Sequence, residues 1–183
     1  MQLTTSRLTL RSLCENDVME VYALFSNHDV MSFLDLPHSD IEYTKKYVKN
    51  LLDAYQESPR RCYELAVLLK ETQEFIGIVN LEVETLYIED GRACLDYYFM
   101  PEHWNMGYAT EASKVLIKFA FEVLNVNKIV SGTLKSNIGS EAVMKKCGMQ
   151  IEAEFKQHTK WNGEWVNRVE YAILRKEYFS KRC

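Results

Sequence analysis

The ten residues HWNMGYATEA, at positions 103–112, place a glycine where a strongly amphipathic helix is expected to begin. The preceding segment RACLDYYFM (residues 92–100) predicts a strand, which Pro101 ends because proline has no amide for a sheet ladder. After the glycine, apolar residues recur at three- and four-residue steps through residues 108–124, which predicts a long helix. A helix start has amides without acceptors and partial positive charge. The stretch therefore predicts a turn at residues 105–110 that could bind an anion such as a pyrophosphate, although an ordinary helix start has the same pattern.

A second helix start lies one strand further along the chain. KIVSGTL (residues 128–134) predicts a short strand, and Asn137 is the expected N-cap of a helix that Gly148 ends. Ser140 falls in the first turn of that helix. Capping alone explains Asn137, but two neighbouring helix starts separated by one strand could together hold a long, phosphate-bearing cofactor.

The remaining segments predict a sheet flanked by helices. RLTLRSL (residues 7–13) is typical of a half-buried strand, followed by a helix with Asn16 or Asp17 as its cap. Ser39 and Glu42 form a capping-box pair before a second amphipathic helix. Further strands are predicted at CYELAVLLK (62–70), EFIGIVNLEVETLY (74–87), AEFKQHTKW (153–161) and EWVNRVEYAIL (164–174), with turns at Asp90-Gly91 and Asn162-Gly163.

The order of these elements, βαα, βββ, αβα, ββ, predicts an α/β (α+β) fold with a mixed sheet. The strand-helix-strand segment in the middle implies a parallel pair there. A length of 183 residues with 47% hydrophobic and 26% charged residues predicts a single domain over residues 1–183.

Composition excludes several classes of function. The net charge of −4 argues against a nucleic-acid partner, which would require a basic surface. Five cysteines without a CxxC pair and four scattered histidines predict neither a disulfide framework nor a metal site. No apolar run reaches membrane-spanning length. We therefore expect a cytoplasmic protein with no metal and no membrane partner.

Two motifs carry a resemblance to a known family. WNMGYATEA together with NIGSEAVMKKCGM resembles the acetyl-CoA-binding signature of the GNAT N-acetyltransferases. TSRLTLRSL near the start and WNGEWVNRVEYAIL near the end are similar to its RimJ/RimL-type branch, which includes ribosomal-protein-alanine N-acetyltransferases. The chain departs from the wider pattern at Trp104, Asn105 and Met149, where Gln or Arg, Gly and Phe are common. Asparagine tolerates a left-handed backbone, so the turn can still form.

The resemblance implies a mixed, centrally splayed sheet, acetyl-CoA as co-substrate, and a pantetheine arm that lies between the parted strands. By position, the residues it implies for coenzyme binding are Phe99, Met100, Asn105, Met106, Gly107, Tyr108, Ala109, Thr110, Asn137 and Ser140.

Acetyl transfer to an amine needs a base, because an ammonium ion has no lone pair with which to attack. In NLEVETLY, alternation puts Glu82 and Glu84 on one strand face, where Glu82 is the first candidate base and Glu84 is better explained as solvated. Asp96 is the second candidate, in a run of aromatics where partial burial would raise its pKa. Ser140 could donate to the leaving sulfur or could simply satisfy the first helical turn.

The resemblance, together with these residues, implies an acetyl-CoA-dependent N-acetyltransferase. The acetyl group would pass to a primary amine, of a protein N-terminus or a small molecule, by direct attack in a ternary complex. The alternative is a catalytically silent acetyl-CoA-binding sensor or scaffold. An ATP-binding protein is disfavoured, because the chain has no GxxxxGK[ST] motif. A homodimer is a further possibility, given the exposed hairpin and sheet edge.

Overall fold

A mixed eight-stranded sheet in the order β1-β2-β3-β4-β5-β6-β8-β7 forms the centre of the protein. A computed structural model describes residues 1–34, 40–84 and 90–180. The strands are β1 (Gln2–Thr4), β2 (Leu8–Ser12), β3 (Cys62–Leu69), β4 (Phe75–Val83), β5 (Arg92–Phe99), β6 (Lys128–Leu134), β7 (Gln150–Trp161) and β8 (Glu164–Leu174).

Helices cover both faces of this sheet. They are α1 (Val18–Ser26), α2 (His28–Met31), α3 (Ile41–Ala54), α4 (Tyr108–Glu122), α5 (Ile138–Lys146) and α6 (Arg175–Ser180). One apolar core joins α4 and α5 to the sheet through Leu81, Leu95 and Leu116, among others. A second core packs α1, α2 and α3 on the opposite face, around residues such as Leu24 and Ile78.

The sheet parts in the middle. β5 and β6 form its parallel pair, and their register joins Arg92 to Lys128, Ala93 to Ile129 and Cys94 to Val130. Beyond Cys94, β5 stays paired with β4 as far as Phe99, while β6 stays paired with β8. The two strands therefore diverge and leave a gap that opens toward the start of α4, which confirms the predicted splayed, mixed sheet.

Local signals account for most of the element boundaries. α4 begins at Tyr108, β6 spans the predicted residues, and Gly148 ends α5 with a φ of 85°. Asn162 and Gly163, with φ values of 47° and 88°, make the predicted turn between β7 and β8. The structure adds β1, α2 and α6, which the sequence patterns did not indicate.

Two predicted caps are corrected. Asp40 is the N-cap of α3, where its Oδ1 accepts from the Tyr43 amide at 2.7 Å; Ser39, the predicted cap, lies outside the described residues. Asp17 is at the N-cap position of α1 but forms no side-chain cap there. Its carboxylate instead binds the Arg11 guanidinium and the Cys14 amide. The end of the predicted second meander strand, residues 85–87, also lies outside the described residues.

Among the described helices, none combines the length and apolar character needed to cross a bilayer. Within the same residues, no group of three or more His, Cys, Asp or Glu side chains is arranged to hold a metal ion.

Candidate active site

The turn between β5 and α4 presents main-chain amides at one end of the gap. Gly107 is left-handed, with φ 81° and ψ 4°, and Asn105 shares this conformation with φ 60°. The Glu111 amide donates to the Gly107 carbonyl at 3.0 Å, which closes the first helical turn. The amides of Tyr108, Ala109 and Thr110 precede that bond and have no acceptor within the helix. They supply the donors that a pyrophosphate requires.

The N-terminal segment holds this turn in place. Glu111, in the first turn of α4, accepts from Thr5 Oγ1 at 2.6 Å, Ser6 Oγ at 3.0 Å, and the Arg7 amide and Nε at 3.0 and 2.7 Å. Arg7 Nη1 also donates to the Met106 carbonyl at 3.0 Å. Burial raises the pKa of Glu111, but these hydrogen bonds outweigh that effect and keep the pKa below its usual value. Sequence reasoning missed this connection, because the two segments are far apart in the chain.

At the end of β5, several main-chain groups are already paired within the protein. The Met100 amide donates to the Ile76 carbonyl, and the Met100 carbonyl accepts from the His103 amide, both at 3.0 Å. The Phe99 carbonyl accepts from Trp104 Nε1 at 2.6 Å. Since alternate residues of an antiparallel strand face opposite edges, the remaining groups directed at the gap belong to Tyr97 and to the Phe99 amide.

The first turn of α5 lies across the gap. Asn137 is the N-cap, as predicted, and its Oδ1 accepts from the Ser140 amide at 3.0 Å. The Ser140 hydroxyl lies 2.9 Å from the phenol oxygen of Tyr97 on β5. Ser140 is therefore held from both sides, by its own helix cap and by the strand opposite.

The face of the sheet that packs against α1, α2 and α3 carries three neighbouring carboxylates. Asn80 on β4 pairs with Glu64 on β3 and with Asp96 on β5. One row further along, Glu82 pairs with Cys62 and Cys94 on the same two strands. Glu82 is exposed, whereas Glu64 is buried.

Glu64 is the site residue that sequence reasoning missed. Its Oε1 accepts from Tyr47 Oη of α3 at 2.5 Å. Burial, with the nearby charges of Asp96 and Glu82, raises the pKa of this carboxyl to about 7, even though the hydrogen bond from Tyr47 acts in the opposite direction. The one available signal was an acid in the otherwise apolar strand CYELAVLL.

Asp96 stands just past the last residue of β5 that pairs with β6. Burial raises its pKa, and the charge of Glu82 adds to this effect, while Arg168 on β8 acts in the opposite direction. Gly132 on β6 gives that arginine its room, because a Cβ there would lie 2.7 Å from Arg168 Nη2. A positive charge therefore lies across the gap from Asp96.

Asp96 and Tyr97 are consecutive residues, so their side chains point to opposite faces of the sheet. The first joins the carboxylates on the face of α1, α2 and α3, and the second reaches Ser140 on α5. The gap thus has acidic groups on one face and a hydroxyl pair on the other. Glu84, predicted to be solvated, is exposed and forms an ion pair with Arg92 at 3.3 Å.

Comparison with known proteins identifies the family. Residues 7–150 match the model of the acetyltransferase (GNAT) domain. The chain belongs to the GNAT acetyltransferase family. The uncharacterized N-acetyltransferase YnaD of Bacillus subtilis (strain 168) is 31% identical over 97% of this chain and 99% of its own.

Two further proteins resemble this acetyltransferase over nearly its full length. The spermidine N(1)-acetyltransferase of Escherichia coli (strain K12) is 28% identical over 94% of this chain and 88% of its own. The ribosomal-protein-S5-alanine acetyltransferase of Vibrio fischeri superimposes with a TM-score of 0.81 and 17% identity, over 96% of this chain and 97% of its own. The second likeness shows a shared fold.

This acetyltransferase uses acetyl-CoA as its co-substrate and transfers the acetyl group to an amine. The structure fits the coenzyme, since it combines open amides at the start of α4 with a gap between β5 and β6. Acetyl-CoA supplies an acyl group on a good leaving group, so the protein needs to orient two substrates and manage one proton.

Proposed function

We propose that the acceptor is a small polyamine that reaches the gap from the face of α1, α2 and α3. The observation that carries this proposal is the set of three carboxylates, Glu64, Glu82 and Asp96, on adjacent strands of that face. A polyamine is cationic at neutral pH, so carboxylates attract it before any proton is removed. The name of the Escherichia coli relative, a spermidine acetyltransferase, agrees with this chemistry.

Asp96 is the base in this proposal, and Glu82 holds the cation. Asp96 is next to the gap, and burial raises its pKa, which makes it a better proton acceptor than an exposed carboxylate. Glu82 is exposed and lies one row away, beside the last paired residue of β5. Ser140, on the opposite side of the gap, donates a hydrogen bond to the departing sulfur.

Coenzyme binding is proposed for the residues around the turn and the α5 cap. The amides of residues 107–110 would bind the pyrophosphate, with Asn105 and Met106 shaping the turn. Open main-chain groups of β5 would pair with the pantetheine arm, and Met100 would contribute its side chain alone.

A thiol-release assay with acetyl-CoA tests the acceptor. The panel contains spermidine, spermine, single amino acids, an aminoglycoside and peptides with free N-termini. We expect the highest kcat/KM with a polyamine. A preference for peptide N-termini would instead assign the RimJ/RimL-type acceptor, and no thiol release with any amine would favour the silent coenzyme-binding alternative.

The cysteines indicate the cellular compartment. Cys14, Cys62, Cys94 and Cys147 are free thiols in the described part of the chain. Free thiols persist in a reducing compartment, so we place the acetyltransferase in the cytoplasm, where polyamines and acetyl-CoA would both be available. A homodimer remains a prediction, which light scattering would test.

A further inference from the structure

Tyr97 on β5 contacts helix α5, which follows β6 on the other side of the gap between the diverging strands. Tyr97 lies three residues beyond Cys94, the last residue of β5 that pairs with β6. Its phenol oxygen lies 2.9 Å from the Ser140 carbonyl oxygen and 2.9 Å from Ser140 Oγ. These contacts join one side of the gap to the other at Ser140.

The phenol has one hydrogen, so two arrangements of these contacts are available. In the first, Tyr97 donates to the Ser140 carbonyl and Ser140 donates to the phenol oxygen, which occupies the serine proton. In the second, Tyr97 donates to Ser140 Oγ, which leaves the serine proton directed elsewhere. The second arrangement turns the serine proton away from Tyr97, so that Ser140 can donate to a ligand in the gap.

We propose that Tyr97 is a positioning residue for Ser140, and that its O–H directs the Ser140 proton at the departing sulfur. The inference rests on the proposed role of Ser140 in acetyl transfer. During transfer the N–C bond forms as the C–S bond breaks, and the sulfur keeps the electron pair. The amine proton leaves toward Asp96, on the other face of β5.

Tyr97 keeps its own proton throughout. Burial raises its pKa above the usual value for a tyrosine. A coenzyme thiolate, with an ordinary thiol pKa of about 8.5, is far too weak a base to deprotonate such a phenol or a serine hydroxyl. The pair therefore stabilises the sulfur charge by hydrogen bonding, with no proton transfer and no phenolate.

A second tyrosine provides a matched control. Tyr171 on β8 donates to Glu141 Oε2 at 2.7 Å, so it also ties a strand to the first turn of α5, one residue from Ser140. Tyr171→Phe removes a comparable phenol contact but leaves the Ser140 hydroxyl untouched. If Tyr97 only anchored α5, the two substitutions would have the same effect.

The test is a double-mutant cycle on turnover. We expect Tyr97→Phe to lower kcat about three- to tenfold, the effect of one hydrogen bond, with the KM for acetyl-CoA unchanged. Combined with Ser140→Ala, it should slow the enzyme no further than Ser140→Ala alone. Tyr171→Phe should retain wild-type kcat, even if it lowers the unfolding temperature.

Each outcome separates the two proposals. Additive losses from Tyr97→Phe and Ser140→Ala, or an equal loss from Tyr171→Phe, would overturn the positioning role while Ser140 keeps its own. Full turnover in Ser140→Ala would overturn the proposed function of Ser140 and this inference together.

Calorimetry supplies a readout that is independent of turnover. The thiol of free coenzyme A ionises above about pH 8.5, so its affinity relative to acetyl-CoA should rise between about pH 7 and pH 9.5 in the wild type. Tyr97→Phe should abolish most of that rise, and Tyr171→Phe should preserve it. A rise that survives in Tyr97→Phe would contradict the inference.

Discussion

Around Gly107 the acetyltransferase presents main-chain amides from a few consecutive residues, whereas the opposite part of the gap presents carboxylates from three strands. The first region depends on backbone conformation, and its side chains contribute mainly by holding the turn. The second region depends on which side chains the register of β3, β4 and β5 brings together. The two regions should therefore lose function under different substitutions: those that strain the backbone at the turn, and those that remove charge at the acidic face.

The strongest test of the acidic face is Asp96→Asn, which keeps the shape of the side chain and removes the base. We expect kcat to fall about a thousandfold, within the range for loss of a general base, while the affinity for acetyl-CoA is unchanged. The wild-type rate should rise with pH as Asp96 ionises, and the variant should lose that limb. The measurement is a pH–rate profile by thiol release.

Glu84→Gln is the control for this substitution, because Glu84 is an exposed acid just past the end of β4. It should retain wild-type turnover. Equal activity of Asp96→Asn and Glu84→Gln would show that Asp96 is not the base. A loss of turnover confined to Glu82→Gln would show that Glu82 is the base instead.

Glu64 links the acidic face to stability. The folded pKa of about 7 is above the usual 4.5, so the folded state favours the protonated acid. Stability is thus intact below the unfolded pKa and falls as the pH rises through about 7. At about pH 8 Glu64→Gln should be more stable than the wild type by about 3 kcal/mol, and below about pH 4 the two should match.

Urea unfolding of both proteins across this pH range measures the effect. A constant difference between Glu64→Gln and the wild type at every pH would show that Glu64 is ionised without cost in the fold. Tyr47→Phe removes its hydrogen-bond donor, so the pKa of Glu64 should rise further and the loss of stability should extend to higher pH.

The turn can be tested with two glycines in the same backbone conformation. Gly107 has φ 81° and Gly163 has φ 88°, and a Cβ at either position would meet no atom closer than 3.5 Å. Valine at either site is strained by the positive φ alone. Gly107→Val should weaken acetyl-CoA binding about thirtyfold through misplaced amides, while Gly163→Val should lose stability without losing affinity.

Calorimetry with acetyl-CoA measures these affinities. Equal affinities in Gly107→Val and Gly163→Val would show that the turn is not the pyrophosphate site.

The smallest expected effect concerns the contact between Arg7 and the turn. Arg7→Met keeps much of the aliphatic stem and removes the bonds to Glu111 and Met106. We expect acetyl-CoA affinity to fall about fivefold, because the side chain is half exposed and positions the turn indirectly. Lys118→Met, which removes an exposed cation further along α4, is the control. An unchanged affinity in Arg7→Met would assign Arg7 a purely structural role.

Local features of the site could be predicted from the sequence. The start of α4 and the Asn137 cap depend on interactions within a few residues, and the structure contains both. The apolar repeat in α4 likewise predicted its buried face, including Ala112, Leu116 and Ala120.

Features that depend on distant segments could not be predicted. The neighbours of Glu64 follow from the pairing of three strands, and sequence periodicity gives the face of a strand but not its register against another. The Tyr97–Ser140 contact depends on where β5 and β6 separate. The Arg7–Glu111 contact joins residues that are 104 positions apart in the chain. The predicted Ser39 cap failed because Asp40, an equally good capping residue, follows it directly.

The parallel pairing between β5 and β6 is short, so it connects the two parts of the sheet only weakly. Within the described strands, three residue pairs connect the part of the sheet built from β1 to β5 with the part built from β6 to β8. A pantetheine arm bound between the diverging strands would add hydrogen bonds beyond these three pairs. It would therefore hold the two parts of the sheet together. Coenzyme should therefore slow hydrogen–deuterium exchange at the amides of β5 and β6 beside the gap more than elsewhere, because the ligand completes the sheet there.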